Sequence, residues 1–233
     1  MRLIHTTTLH MQEFMRVNQP YAILSHTWGA AGDEVSYHEM IAPELSQTTL
    51  RKPGYVKIAK CCEIARKYGL EFAWVDTCCI DKSSSAELTE EINSMYKWYE
   101  GATVCIAYLA DLTEDIESLR ESRWFTRGWT LQELVAPGWV EFYDQSWANR
   151  GNKTSWRDRL SEITGISPGI LHGENTLDQI PVAVRMSWAS KRETTRDEDM
   201  AYCLLGIFDI NMPMLYGEGS KAFLRLQEEI IKQ

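Results

Sequence analysis

Residues 127–137, with the sequence RGWTLQELVAP, place an indole and a carboxylate four positions apart. On a helix, Trp129 and Glu133 would lie on one face, because residues i and i+4 are neighbours there. An aromatic ring beside a carboxylate suits a site that holds a flat ring and stabilises positive charge developing next to it. Glu133 is therefore the candidate catalytic residue. The alternative is a surface or capping glutamate on an amphipathic helix.

A second polar group follows the apolar segment YAILSHTWG at 21–29, which predicts a buried strand. Ser25, His26 and Trp28 come at its carboxyl end, where open α/β sheets bind ligands. They are candidate substrate-binding residues. His26 could bond a phosphate or ribose, or orient Glu133. Alternatively it is a buried histidine satisfied by backbone groups.

A third set of polar residues lies within the segment FAWVDTCCIDK at 72–82, which begins with an apolar run. Asp76 could bind ribose hydroxyls or hold His26, or it could cap its own loop through an Asx-turn. Cys78 is a further candidate for the binding site. Together with His26 and Asp76 it would make a thiol hydrolase, but no nearby cation would lower the pKa of the thiol.

Composition narrows the class of protein. The 233 residues carry a net charge of −9 and no basic run, so a nucleic-acid partner is not expected. No apolar run reaches the ~20 residues of a membrane span. The six cysteines include two adjacent pairs and no CxxC spacing, which argues against disulfides and metal sites. A cytoplasmic protein with reduced thiols and no bound metal is the expectation.

Apolar segments and helical periodicity alternate along the first part of the chain. Strands are predicted at 1–6, 21–28, 70–80, 102–109 and 139–144, with helices between the middle ones. This order predicts an α/β fold with a doubly wound parallel sheet flanked by helices. From about residue 146 to 233 the pattern is mostly helical, and no linker separates this part from the α/β core at about 1–145. We expect a single domain that forms the N-terminal part of a longer protein.

Four long motifs resemble the fungal heterokaryon-incompatibility (HET) domain. They are AILSHTWG at 22–29, WVDTCCIDK at 74–82, SRWFTRGWTLQELVAP at 122–137 and TTRDEDMAYCLLGIFDINMPMLYGEG at 194–219. The resemblance implies an innate-immune role in fungi, in which cells die after genetically different cells fuse. It also implies a neighbouring nucleotide-binding oligomerisation domain in the full-length chain.

A more distant similarity links the same segments to Toll/interleukin-1 receptor (TIR) domains, which have a flavodoxin-like sheet. In the TIR domains that hydrolyse NAD, a helical glutamate preceded by an aromatic residue is catalytic, and it maps onto Glu133. The resemblance implies NAD as a substrate, with no cofactor, and self-association that completes the site. The helical last third has no TIR counterpart.

The similarity gives the candidate residues specific roles. Cleavage of the nicotinamide–ribose bond develops an oxocarbenium-like cation, which the Glu133 carboxylate would stabilise. Trp124 and Trp129 could stack on nicotinamide or adenine, or belong to the core. Arg127, with Arg123, could bind the pyrophosphate, or form ion pairs with the acidic loop at 111–121.

A non-catalytic adaptor is the competing class. Such a domain would assemble with copies of itself and recruit a separate toxic effector. The Trp and Arg residues at 123–129 would then be interface anchors rather than a pocket.

Overall fold

A seven-stranded sheet in the order β2-β1-β4-β3-β5-β6-β7 forms the centre of the protein. The structure, a computed structural model, describes residues 1–233. The strands are β1 Arg2–His5, β2 Met11–Glu13, β3 Tyr21–His26, β4 Phe72–Trp74, β5 Val104–Tyr108, β6 Val140–Tyr143 and β7 Asn149–Asn152.

The sheet is mixed, which corrects the prediction of a parallel one. Strands β4, β3, β5 and β6 run parallel. At the edges, β1 is antiparallel to β4, β2 to β1, and β7 to β6. The outer strands β2 and β7 are short and polar, so their sequences carry no apolar pattern. Only pairing with a neighbouring strand makes them extended.

Twelve helices surround the sheet. They are α1 Tyr37–Met40, α2 Gln47–Leu50, α3 Pro53–Lys67, α4 Asp76–Cys79, α5 Ser85–Glu100, α6 Thr130–Val135, α7 Arg157–Thr164, α8 Pro168–Leu171, α9 Val182–Ser187, α10 Asp199–Tyr202, α11 Leu205–Phe208 and α12 Lys221–Ile231. Three 3₁₀ turns cover Ile116–Glu121, Arg123–Thr126 and Leu177–Gln179.

Two long helices have readable start and stop signals. Pro53 begins α3, because its missing N–H has no partner to lose at that position. Gly69, with a φ of 70°, follows the end of α3 in the left-handed conformation that glycine adopts without strain. Ser84 caps α5 by accepting a hydrogen bond from the backbone N–H of Glu87.

Strand β3 lies between helices on both faces of the sheet. Side chains alternate along a strand, so consecutive residues point to opposite faces. Ser25 points towards α6, where it meets Glu133. His26 points towards α3, where it meets Lys57. The end of β3 therefore supplies polar groups to both faces.

The last third of the chain packs against the sheet and its helices. Strand β7 lies within it, so this part is not purely helical. Trp156 stacks on Phe142 of β6 with ring centroids 4.7 Å apart. Gly206 of α11 sits so close to Tyr96 of α5 that a Cβ there would lie 2.1 Å from the tyrosine Cβ. No helix combines the length and hydrophobicity that crossing a bilayer requires.

Candidate functional site

The Glu133 side chain is buried at the end of β3. Only 7% of the Glu133 surface is exposed to solvent, so the alternative of a surface glutamate is wrong. The Ser25 hydroxyl donates a hydrogen bond to the Glu133 carboxyl group. The Trp124 indole N–H in turn donates to Ser25 Oγ at 2.8 Å. The hydroxyl of Tyr99, which donates to the Leu24 carbonyl oxygen at 3.0 Å, lies beside the carboxyl group.

The environment of Glu133 favours its neutral form. Burial raises the pKa of this carboxyl to about 8, and the negative charge of Asp76 acts in the same direction. The hydrogen bond from Ser25, the adjacent Tyr99 hydroxyl and the positive charge of Arg192 oppose the rise. At neutral pH most Glu133 side chains therefore carry a proton, although little free energy separates them from the carboxylate.

A second polar network lies on the other face of the sheet. Lys57 Nζ lies 3.1 Å from His26 Nδ1 and 3.1 Å from the Thr27 carbonyl oxygen. It also lies 2.5 Å from the Glu34 carboxylate. An ammonium group has no lone pair, so Nδ1 must be the acceptor. His26 then carries its proton on Nε2 and donates it to Asp76 Oδ1 at 3.1 Å.

Asp76 is a second carboxylate of this network. Burial acts to raise its pKa, but hydrogen bonds from His26 and Trp28 and the charge of Lys82 outweigh it and lower the pKa to about 2. Trp28 Nε1 donates to Asp76 Oδ2 at 2.8 Å. Of the alternatives considered for Asp76, the structure contains the contact with His26. The side-chain oxygens bond side chains rather than cap a loop.

Trp28 is the accessible part of the second network. Trp28 is 46% exposed to solvent, and the Lys82 ammonium lies 3.7 Å from the centroid of its ring. A cation over an indole face is a favourable arrangement. An exposed aromatic ring beside fixed charges is therefore the surface that this network offers to a ligand.

The predicted site residues thus fall into two clusters and a remainder. Ser25, Trp124 and Glu133 form one cluster, and His26, Trp28 and Asp76 form the other. The indole that shares a hydrogen-bond network with Glu133 is Trp124, which corrects the pairing inferred from spacing. Trp129 makes no hydrogen bond to Glu133, and its side chain lies near Asp199 instead. Trp124 lies in the 3₁₀ turn before α6, where its carbonyl oxygen accepts a hydrogen bond from the Thr130 hydroxyl, a contact that spacing cannot show.

Two arginine contacts also differ from expectation. Arg127 Nη2 donates to Thr195 Oγ1 at 3.2 Å. Arg123 reaches the acidic loop only through its backbone N–H, which donates to Asp111 Oδ2 at 2.8 Å. Neither guanidinium forms an ion pair with the loop at 111–121, so that alternative is wrong. Other arginines pair with this loop: Arg159 lies 3.2 Å from the Glu117 carboxylate and Arg150 lies 3.7 Å from that of Glu114.

Cys78 is not placed as a nucleophile. Its side chain is fully buried, and its thiol contacts the Val75 carbonyl oxygen at 3.8 Å. A hydrogen bond with Cys79, together with burial, raises the pKa of the Cys78 thiol well above its ordinary value. A protonated, enclosed thiol is a poor nucleophile.

Three buried cations, Lys57, Lys153 and Arg192, were not predicted from the sequence. Lys57 lies on the buried stripe of α3 with Cys61 and Ile64, and a lysine at such a position is a usable signal. Arg192 is only 5% exposed, and no pattern in its segment marks it. Its guanidinium donates to the Arg127 carbonyl oxygen at 2.8 Å and to Thr130 Oγ1 at 2.9 Å.

Two surface clefts lie away from Glu133. One of about 590 Å³ is lined by residues of the 3₁₀ turn Ile116–Glu121 and of α7. The other, of about 700 Å³, lies between α5, α11 and the segment after α8. No group of three or more His, Cys, Asp or Glu side chains is placed to hold a metal ion.

Residues 21–118, which carry β3, β4 and the second network, match the heterokaryon incompatibility protein (HET) family. The chain carries a HET domain. This HET domain is 46% identical over 224 residues to vegetative incompatibility protein HET-E-1 of Podospora anserina. That alignment covers 91% of the chain but 16% of the relative, so the chain spans a small part of the relative's length. No solved structure matches the domain significantly.

Proposed function

We propose that this HET domain is a cell-death effector of fungal incompatibility that hydrolyses the nicotinamide–ribose bond of NAD once it has assembled. Glu133 would be the catalytic carboxylate. The observation that carries this proposal is a buried carboxyl group with a pKa of about 8, bonded by Ser25 at the carboxyl end of β3. Perturbed titratable groups at strand ends are favoured positions for catalysis.

The chemistry requires the carboxylate form of Glu133. When the C1′–N bond breaks, the nitrogen takes the electron pair and nicotinamide leaves as a neutral molecule. The ribose becomes an oxocarbenium-like cation, to which water adds with release of a proton. The pyridinium ring of bound NAD is itself a cation. Its approach would lower the pKa of Glu133 and favour the carboxylate that the transition state needs.

Assembly is the proposed switch. In the single chain the Glu133 carboxyl is enclosed by Ser25, Trp124 and Tyr99, so a substrate needs this cover to open. Kinship with TIR domains is supported by the strand order. Counted from β3, the four parallel strands run 2-1-3-4, as the first four do in a flavodoxin-like sheet. Self-association that displaces the cover would couple recognition to NAD cleavage.

The expected partners follow from the same proposal. The HET domain aligns with 16% of its Podospora relative, which is consistent with a longer chain that includes a nucleotide-binding oligomerisation domain. We place the protein in the cytoplasm. All six cysteines are free thiols, as a reducing compartment would keep them.

A non-catalytic adaptor is the second candidate. One observation favours it: Glu133 is buried, and Ser25 and Trp124 enclose its carboxyl group. An adaptor would kill through a recruited effector, and its own carboxyl groups would be dispensable.

Nicotinamide release distinguishes the two functions. Purified protein at high concentration is incubated with NAD, alongside Glu133→Gln and Glu91→Gln. Glu91 is a matched control, because it is also buried, with a pKa raised to about 7, but lies on α5 beside Arg2. We expect Glu133→Gln to lose ~10²-fold or more and Glu91→Gln to keep its activity. Cell killing that survives Glu133→Gln unchanged would establish the adaptor instead.

A further inference from the structure

Arg192 is a buried cation without an acidic partner. It is 5% exposed, and no carboxylate lies within ion-pair distance of its guanidinium. Its Nε donates to the Trp188 carbonyl oxygen at 3.3 Å, and Nη1 donates to the Arg127 carbonyl oxygen and Thr130 Oγ1. Burial lowers the pKa of Arg192 to about 10, so the side chain is still charged at neutral pH. Burying an unpaired charge is costly, which calls for a role.

The contacts of Arg192 lead to Glu133 through shared groups. Thr130 begins α6, and Glu133 lies three residues later on the same face of the helix. The Thr130 hydroxyl also bonds the Trp124 carbonyl oxygen. The Trp124 indole bonds Ser25, and Ser25 bonds the Glu133 carboxyl group. Two sets of hydrogen bonds, joined through the covalent frame of Trp124, therefore connect the guanidinium to the carboxyl group.

The segment that carries Arg192 is hydrogen-bonded to the turn before α6. The backbone N–H of Glu193 donates to the Thr126 carbonyl oxygen at 2.6 Å, and that of Gly128 donates to the Glu193 carbonyl oxygen at 2.9 Å. A Cβ at Gly128 would lie 2.6 Å from Thr194 Cγ2, so the two segments are in close contact. The helical last third is thereby built into the Glu133 site.

We propose that Arg192 is a positioning residue for Glu133: it fixes the turn that begins α6 and supplies a permanent positive charge on the chain of contacts that leads to this carboxyl group. The other titratable groups that act on Glu133 are Asp76 and Tyr99, with Cys105 beneath it. None of these three is a cation, and the other buried cation packed on α6, Lys153, donates to the carbonyl oxygens of Leu134 and Pro137. The charge of Arg192 would limit the rise in the pKa of Glu133. The carboxylate form would then stay accessible at neutral pH, as the proposed NAD hydrolysis requires. The assignment rests on that proposed function for its purpose, but its test does not.

The test measures the protonation of Glu133 directly. The carboxyl C=O band of the purified protein is followed by infrared spectroscopy across pH 5–10, and Glu133→Gln assigns the signal. Arg192→Gln keeps polar donors but removes the charge, whereas Arg192→Lys keeps the charge with a smaller head group. We expect the Gln variant to raise the midpoint by about one pH unit and the Lys variant to stay close to the wild type.

Any of the following three results would overturn the proposal. Unchanged midpoints in both variants would show that Arg192 does not act on Glu133. Equal shifts in both variants would show that charge is not what matters. If neither variant folds, Arg192 is a structural group only. Nicotinamide release is measured separately, so an inactive wild type would contradict the proposed hydrolase while leaving the titration result intact.

Discussion

Ser25 and His26 are consecutive residues of β3, yet they bond two different carboxyl groups on opposite faces of the sheet. Ser25 bonds Glu133, whose pKa is raised to about 8 by burial. His26 bonds Asp76, whose pKa is lowered to about 2 because hydrogen bonds and Lys82 outweigh burial. At neutral pH one group is mostly neutral and the other is charged. Such divergence between neighbouring acids is a frequent feature of catalytic sites.

The raised pKa of Glu133 predicts a pH dependence of stability. Its ordinary value is 4.5 and its folded value about 8, so between these pH values the folded chain holds a proton that the unfolded chain releases. The free energy of unfolding must then fall as pH rises through this window, by on the order of 4 kcal/mol. Denaturant unfolding at pH 5, 6, 7 and 8 measures the slope.

Two variants isolate the contribution of Glu133. Glu91 has a pKa raised by burial to about 7 and produces a slope of the same sign, so the wild-type slope alone is not diagnostic. Glu133→Gln should remove the larger part of the pH dependence of the free energy of unfolding, and Glu91→Gln should remove the smaller part. Equal slopes in the wild type and Glu133→Gln would show that Glu133 titrates normally in the folded protein.

Ser25→Ala should destabilise the fold and raise the pKa of Glu133 further. The substitution removes the donor to the carboxyl group and leaves the buried Trp124 N–H without its acceptor. A buried donor left unsatisfied costs about 1–3 kcal/mol. Thermal unfolding and the infrared midpoint of Glu133 measure the two effects. Ser25→Thr, which keeps the hydroxyl, is the control and should recover most of both.

The tautomer of His26 gives a third prediction. Lys57 donates to Nδ1, so the imidazole of the folded protein should carry its proton on Nε2. Imidazole ¹⁵N chemical shifts distinguish the two nitrogens. In Lys57→Met this constraint is removed, and the spectrum should show a mixture of tautomers. A wild-type spectrum with the proton on Nδ1 would contradict the hydrogen-bond assignment.

Stability offers an independent check on Lys57. Removing it leaves the Glu34 carboxylate, which it contacts at 2.5 Å, without its cation. Breaking one partner of a buried pair costs about 3–5 kcal/mol. The double variant Lys57→Met with Glu34→Gln should be more stable than Lys57→Met alone, because no orphaned charge remains. Additive losses would show that the two groups are not coupled.

Sequence patterns predicted the central strands and helices because apolar periodicity is a local property. The helix at α3 and the buried strand β5 follow directly from it. The edges β2 and β7 are extended only through pairing, so they carry no such signal. Strand β4 ends at Trp74, and Asp76 already begins a helix, although the apolar run continues through Cys78 and Cys79.

The candidate site likewise combines features that the local sequence shows with contacts between residues far apart in the chain. The type and spacing of Glu133 and Trp129 were visible in sequence, but the indole that joins the Glu133 network is Trp124. Trp124 and Ser25 are 99 positions apart, and Arg192 and Thr130 are 62 apart. Contacts over such separations depend on tertiary packing, which no single motif encodes. Their discovery required the fold.

The last prediction concerns assembly as the switch. If opening of the Glu133 cover requires neighbouring chains, nicotinamide release should rise more steeply than in proportion to protein concentration. Glu133→Gln chains retain the surfaces for assembly but lack the carboxylate. Added to a limiting amount of wild type, they should therefore increase the rate per wild-type chain, since they complete assemblies without contributing chemistry. Equal amounts of an unrelated protein control for crowding. A rate per wild-type chain that never changes with either addition would show that each HET domain works alone, and a different opening step would be needed.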